Sequence, residues 1–407
     1  MKTLIEFFDD DQILNVNALL RFEPEKVVFI AFPKSVKASR KMAVEKFLDL
    51  RFADGRKPAT EYVESAYPYH LPEIVTVLDG VTDENEDCYI DVTGGKETIL
   101  IAAGILSERK NIPMFQFNII SGCLHRLKNC DDLPDTETPR LSVREYIVLN
   151  GGEIIRQDSD EEVLDPYDGF FDDVENMWGI CQSNSFDWNR QVTAFQNFVK
   201  YGKLADDLTV SVNLRHLRDQ KHEHYLSRYI MSRLEQCGLI SGYLRTEETA
   251  SFRFKNEQVF SCLTKAGRIL ELYTYTVLKE INEDDPGYFN DIATGVFIDW
   301  DGNAEPDGTP DIINEIDIIL MRNEIPVFIS CKNGLVKRDA LYELNTLAQR
   351  FGNKNCKKII IAVNGDSNSS DEEFLFLRAQ YMGIMPIGQK QMSTKEKFKE
   401  RLRNLTK

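Results

Sequence analysis

The chain has 407 residues, 42% hydrophobic and 28% charged, which is enough for two or three domains with proper cores. A formal net charge of −17 excludes wholesale coating of nucleic acid, so any contact with a polyanion has to be local. No run of about eighteen apolar residues occurs, and the N-terminus lacks a basic stretch ahead of an apolar core. The eight cysteines form no CxxC pair, so the expectation is a cytoplasmic protein with reduced thiols.

In chain order, MKTLIEFFDDDQILNV reads as a helical opening. KVVFIAFPKS (26–35) reads as a buried strand ending in a Pro-Lys-Ser loop, before the amphipathic KASRKMAVEKFLDLRF (37–52). Tyr62 to Tyr69 reads as a polar aromatic loop and LPEIVTVLDGVT (71–82) as a helix. The stretch CYIDVTGGKETILIAAGIL (88–106) runs from a strand through Thr93, Gly94, Gly95 and Lys96 into a helix. Glycines permit close backbone approach, a helix N-terminus presents free N–H groups and Lys96 adds charge. Together they make an anion cradle at the carboxyl end of a strand, where open α/β sheets bind ligands. A tight turn with glycine for geometry alone would carry similar letters, but Thr93 and Lys96 flanking the glycines favour a phosphate. The loop is neither GxGxxG nor a Walker loop, so an NTPase is not implied. MFQFNIISG (114–122) reads as a further strand and loop, and REYIVLNGGEII (144–155) as a strand-like run.

From Gln157 the composition turns acidic and irregular, which marks a boundary. Residues 186–240 read as largely helical, with His222, Glu223 and His224 on a helical surface. LISGYLR and ASFRFKN then read as two strands. Helix, helix and hairpin is the winged-helix order, which suits a spacer or dimerisation module as well as a DNA reader. AGRILELYTYTVLKEI (266–281) is a helix carrying Glu271 early, and GVFIDW (295–300) is a strand.

Asp311 to Gly334 holds the chemistry. IDIIL (316–320) and PVFISCK (326–332) read as strands joined by a polar turn. Alternation puts Glu315 and Asp317 on one face, and likewise Ser330 and Lys332. An Asp in an otherwise buried strand is costly unless it binds something. Carboxylates converging with an ammonium suit metal-dependent phosphodiester hydrolysis, in which the acids hold Mg²⁺ or Mn²⁺ with several waters and the lysine stabilises developing charge. An ordinary hairpin with a solvated rim and a snorkelling lysine fits the same spacing. A helix (338–352) and strands at 357–365 and 383–388 follow. A basic patch spans residues 332 to 358, and the basic C-terminal tail reads as solvated.

Residues 266–388 resemble a PD-(D/E)xK restriction-endonuclease-like domain: a helix with Glu271, a strand with Asp317, a strand with Ser330-Cys331-Lys332, a helix and a strand. The DVTGGKET stretch after a central strand resembles a CARF domain, the sensor of cyclic oligoadenylates in type III CRISPR defence. The whole chain is similar to the CARF nuclease effectors. The resemblance implies an α/β fold with a Rossmann-like CARF sensor (1–156), a linker and winged-helix-like region (157–265) and a nuclease domain (266–407). It makes Asp317 a metal ligand, the Cys331 backbone carbonyl a further metal contact, Lys332 the catalytic lysine and Glu271 the acid that orders metal-bound water. It departs from the family at Ser330, where an acid is expected, and Glu315 is the candidate substitute. In the sensor the matching positions are Thr93, Gly94, Gly95 and Lys96, with Lys34, Ser35 and Ser121.

The resulting expectation is a cytoplasmic homodimer that binds a cyclic oligoadenylate, tetra-adenylate favoured over hexa-adenylate, across its two-fold axis. Binding would open or assemble an Mg²⁺- or Mn²⁺-dependent endonuclease site acting on DNA or RNA in antiviral defence. The alternative is a ligand-responsive transcription regulator whose winged helix reads DNA and whose nuclease fold is degenerate.

Overall fold

The computed structural model describes residues 1–31, 38–65, 69–160, 167, 169–303, 312–334, 336–363 and 370–407, the side chains of 370–373 apart. Lys34 and Ser35 lie outside the described residues.

The first sheet contains β1 (Thr3–Phe7), β2 (Lys26–Ala31), β3 (Ala59–Glu64), β4 (Cys88–Asp91), β5 (Met114–Phe117) and β6 (Leu124–Lys128). Its order is β3-β2-β1-β4-β5-β6, parallel except for β6 against β5. The opening segment is therefore a central strand and not a helix. All five residues of β1 are buried between two parallel neighbours, where a strand carries no polar/apolar alternation to betray it. Tyr62 lies in β3 and stacks on Phe29 with ring centroids 4.9 Å apart, so that part of the expected aromatic loop is sheet.

The strand-like run at 144–155 divides in two. Ser142 and Glu145 form a capping box that starts a helix at Val143–Leu149, and β7 (Glu153–Gln157) follows. β7 pairs antiparallel with a strand of the last sheet, so the boundary expected at 156 cuts through an element of the C-terminal domain.

The middle region has β8 (Lys203–Leu204), β9 (Thr209–Asn213), β10 (Ile240–Arg245) and β11 (Thr249–Phe254) in the order β10-β11-β9-β8. The helices at 214–219 and 228–236 precede the β10–β11 wing. His222 to His224 lie in the turn between those helices rather than on a helical surface, and Glu223 pairs with Arg190.

The last sheet adds β12 (Asp291–Asp299), β13 (Ile313–Arg322), β14 (Ile325–Asn333), β15 (Lys357–Val363) and β16 (Ile384–Ile387), in the order β16-β15-β14-β13-β12-β7. The helix Arg268–Asp284 shares a core with Ile318, Leu320, Ile329 and Cys331, and the helix Arg338–Phe351 shares another with Ile319, Met321 and Phe328. The second core continues into the N-terminal part through Leu4, Leu19 and Phe115, so the first and last sheets are packed together. The C-terminal helix is docked rather than solvated: Lys395 and Lys399 pair with Glu280, and Arg403 with Asp285. Among the described residues no helix is long and apolar enough to cross a membrane.

Candidate active site and ligand loops

The β13–β14 ladder runs from Arg322↔Ile325 to Ile318↔Ile329 and then the strands part. Asp317 is the first residue past the last pair, and its side chain fills the fork. Its Oδ2 accepts hydrogen bonds from the Cys331 N–H (2.6 Å), Ser330 Oγ (3.1 Å) and Lys332 Nζ (3.1 Å). Thr294 Oγ1 on β12 donates to the Asp317 carbonyl at 3.1 Å and fastens the backbone from the other side. The N–H and C=O of one strand residue point to the same neighbour, so the Cys331 carbonyl also faces the fork. The expected convergence of Asp317, Ser330 and Lys332 is therefore present.

Lys332 is half-buried. Burial works against its ammonium, but the charge and hydrogen bond of Asp317 hold its pKa above the ordinary lysine value. Glu271 reaches the same place from the neighbouring helix. Burial, and next the charge of Asp317, push its carboxyl up to about 7, against the opposing pull of Arg268. Arg268 is itself buried, 2.7 Å from Asp158 and 3.5 Å from Glu271. Glu315 stands at the rim and reaches solvent; partial desolvation, then Asp317 and Asp158, raise its carboxyl. A cleft of about 130 Å³ opens here, lined by Glu315, Asp317, Ser330 and Lys332 together with Glu343 from the helix at 338–351.

Among the described residues no group of three or more His, Cys, Asp or Glu gathers at a point fit for a cation. Mg²⁺ needs less than that, since it keeps several waters and takes one or two carboxylates. The donors present are hard oxygens, and Asp317 raises the pKa of both Glu271 and Glu315, a repulsion that a divalent cation would relieve. The site fits a water-rich Mg²⁺ or Mn²⁺ held by Asp317 and the Cys331 carbonyl, with Glu271 and Glu315 alongside.

The raised Glu271 carboxyl has a consequence for stability. Its pKa is higher in the folded chain than in the unfolded one, so its contribution is present below about pH 4.5 and is lost as pH rises through about 7. Glu271→Gln has no proton to lose. Without divalent metal, the variant is expected to gain on wild type by on the order of 2–3 kcal/mol between pH 5 and pH 8. Thermal melts at both pH values check this; the same difference in Tm at both would mean that Glu271 is ionised throughout.

In the sensor, the Thr93-Gly94-Gly95-Lys96 loop leaves β4 and enters the helix Glu97–Lys110. Asp91, fully buried at the end of β4, accepts from the Thr93 N–H at 2.8 Å and also from the Thr93 hydroxyl. That hydroxyl accepts in turn from the Phe117 N–H at 2.8 Å. Thr93 is thus an anchor of the loop, with its hydroxyl already occupied. Gly95 has φ +99°, and a Cβ there would lie 2.8 Å from Phe7 Cβ, so glycine is required by conformation and by packing. Its N–H donates to Asp9 at 3.1 Å. Lys96 is exposed, and its side chain has no hydrogen-bond or ion-pair partner among the described residues. Ser121, also exposed, lies in the loop after β5, which the Thr93–Phe117 bond ties to the glycine loop.

The sequence reading missed Asp91, Glu6, Arg268, Asp158 and Glu343. Glu6 is buried on β1 and is held well above the ordinary carboxyl range by burial, then by the charge of Asp91. Asp91 is pushed up to about 7 by burial against the donors of Thr93. The basic patch is smaller than the sequence suggests. Arg350 donates to the carbonyls of Asn150, Gly151 and Trp300, and Lys358 to that of Met382. Lys337, Arg338 and Lys354 remain exposed.

No family model and no curated protein matches the chain. Solved structures do. Protein VC1899 from Vibrio cholerae is 16% identical with a TM-score of 0.72, over 99% of this chain and 97% of that one. Can2 from Sulfobacillus thermosulfidooxidans, solved in complex with cyclic tetra-adenylate, is 17% identical with a TM-score of 0.67, over 100% of both chains. The chain therefore shares the fold of these structures over its whole length: a Rossmann-like N-terminal sheet, a winged-helix-like middle and a restriction-endonuclease-like C-terminal sheet.

Proposed function

We propose that this protein is a metal-dependent endonuclease, switched by a cyclic oligoadenylate and acting in the cytoplasm in type III CRISPR antiviral defence. The observation that carries the reading is the fork at Asp317, where a part-buried carboxylate, a protonated lysine, a raised glutamate and an open cleft meet on one side of the sheet. Bound Mg²⁺ or Mn²⁺ would supply a water acidic enough to attack phosphorus and a Lewis acid for the developing charge. Lys332 stabilises that charge from the fork, and Ser330 and the Cys331 N–H hold Asp317 in place. Glu271, with a pKa near neutrality, can accept the proton of the attacking water. Lys96, exposed at the carboxyl edge of the first sheet, is the sensor's cation for a phosphate or a base edge. The bound cyclic tetra-adenylate of Can2 supports a ring ligand, and a two-fold homodimer would present these loops to it twice.

The test is cleavage of plasmid, single-stranded DNA and RNA with Mg²⁺ or Mn²⁺, with and without cyclic tetra- and hexa-adenylate. Ring-stimulated cleavage is expected, and no cleavage under any of these conditions would reject the nuclease reading. Ser330 in place of the expected acid favours one second reading, a ligand-responsive DNA-binding regulator with an inactive nuclease fold. Ring binding and duplex binding without nicking would select it.

If Glu315 replaces the acid missing at Ser330, Glu315→Gln raises the metal concentration for half-maximal cleavage by about tenfold, the usual scale for a lost supporting ligand. Ser330→Glu in the same chain is expected to restore it. An unchanged metal titration for Glu315→Gln would leave Glu315 a rim residue and make Glu343 the next acid to test.

A further inference from the structure

Glu324 lies at the tip of the turn between β13 and β14, the two strands that carry Asp317 and Lys332. A turn residue of this kind normally faces water. Its side chain is instead fully buried against the sensor. Asn17 Nδ2 donates to Glu324 Oε1, and Arg21 Nη2 is 4.0 Å from Oε2, with both charged side chains at 0% exposure. Asn353 Nδ2 also donates to the Glu324 carbonyl at 3.2 Å.

Arg21 is held from the other side by the loops that close the sensor sheet. Its Nη1 donates to the carbonyls of Gly122 (3.1 Å) and Thr136 (3.4 Å), and its guanidinium carbon sits 4.1 Å over the Phe117 ring. Phe117 is the residue whose N–H bonds Thr93 of the glycine loop, and Gly122 follows Ser121. One guanidinium therefore touches the ligand-side loop and faces the catalytic hairpin.

The cluster is incompletely bonded. Arg21 Nε and Nη2, Asn17 Oδ1, Thr136 Oγ1 and Glu324 Oε2 are buried without a hydrogen-bond partner among the described residues. At 4.0 Å the Arg21–Glu324 pair is about 1 Å beyond a charge-assisted hydrogen bond. The two bonds from Nη1 to the Gly122 and Thr136 carbonyls tether the guanidinium short of Glu324, although Nε and Nη2 still have donors to give it. Buried polar groups of this kind accept a second arrangement when a competitor moves, because the second arrangement supplies the missing partners.

We propose that Glu324 is a positioning residue through which Arg21 couples the sensor loops to the catalytic hairpin: displacement of the Gly122 carbonyl by a bound ligand lets Arg21 close onto Glu324 and re-aims β13 and β14 at the fork. This inference rests on the ring-activated nuclease reading above. Neither residue touches the ring or the reacting atoms; they act through Phe117 and Gly122 at one end and the hairpin at the other.

The experiment uses full-length wild type, Glu324→Gln, Arg21→Met, the double variant and the conservative Arg21→Lys. Cleavage is measured with and without cyclic tetra-adenylate, alongside ring binding, thermal melting and hydrogen exchange across residues 318–329. In Glu324→Gln, stimulation by the ring is expected to fall at least tenfold while ring affinity stays within threefold of wild type. The hairpin amides are expected to change exchange on ring binding in wild type and to stop responding in the variant. Arg21→Met behaves the same way, the double variant is no worse than either single, and Arg21→Lys regains part of the stimulation. If Glu324→Gln melts without cooperativity, the contrast between Arg21→Lys and Arg21→Met carries the test. Equal stimulation of wild type and variants would overturn this inference alone. A wild type indifferent to every ring would overturn the functional reading and this inference with it.

Discussion

Lys332→Ala and, separately, Asp317→Asn are expected to lower metal-dependent cleavage by at least about a thousandfold at saturating ring, with dimer mass and ring binding unchanged. The physical reason differs between the two. Without Lys332, Asp317 loses the ammonium 3.1 Å away that holds its carboxylate in the fork, and is left facing Glu271 and Glu315. The developing charge on phosphorus also loses its positive partner. Without the Asp317 charge, Lys332 remains half-buried with no carboxylate bonded to it, and the cleft loses its best-placed acid. Asparagine is the better probe than alanine at 317, because its side-chain oxygen still accepts from the Cys331 N–H and keeps the fork together. Both residues keep their places through their backbones, Lys332 opposite Ala362 on β15 and the Asp317 carbonyl under Thr294, and neither substitution removes those bonds. The check is single-turnover cleavage with Mg²⁺ and with Mn²⁺. More than about a tenth of the wild-type rate in either variant would place the active site elsewhere.

How far this site was legible in the sequence turns on one argument, used in one place and overlooked in another. An acid inside an apolar strand has to bind something. That reasoning found Asp317 in IDIIL, and the structure gives it three donors. The same reasoning applied to CYIDV would have found Asp91, which holds Thr93 and so shapes the glycine loop. The letters of Thr93 and the glycines match a phosphate cradle, and the structure adds what the letters do not show, their packing against Phe7 and Asp91. Arg268 and Asp158 could not be read at all. They come from a helix start and from the loop after β7, and they meet only because β7 crosses into the last sheet beside β12. β1 was hidden for a related reason: a strand buried on both faces has no period of two. The fold class was easier, since the order of strand, glycine loop, wing and D…K hairpin survives errors at any single element.

Lys96→Ala is expected to weaken binding of cyclic tetra-adenylate by a few hundredfold or more while leaving the chemistry intact. Lys96 is the one member of the glycine loop whose side chain is exposed and without an ion pair or hydrogen bond among the described residues, so nothing in the sensor's own packing needs it. Lys96 is the N-cap residue of the helix Glu97–Lys110, whose first N–H groups no side chain caps, and an anion is favoured at such an end. A hydrogen bond to a charged group contributes about 1.5–3 kcal/mol, and a two-fold dimer uses each lysine once per half-ring, so the loss is doubled. Saturating ring should then restore most of the cleavage, because Asp317 and Lys332 are untouched. Thr93→Val is expected to differ: it removes the anchor to Asp91 and Phe117, loosens both ligand-side loops and lowers Tm as well as affinity. Calorimetry of ring binding beside a melt separates the two variants. If Lys96→Ala binds the ring as wild type does and yet fails to cleave, the lysine belongs to the coupling between sensor and nuclease. If the intact protein binds no cyclic oligoadenylate, the first sheet is a Rossmann-like domain for a different ligand.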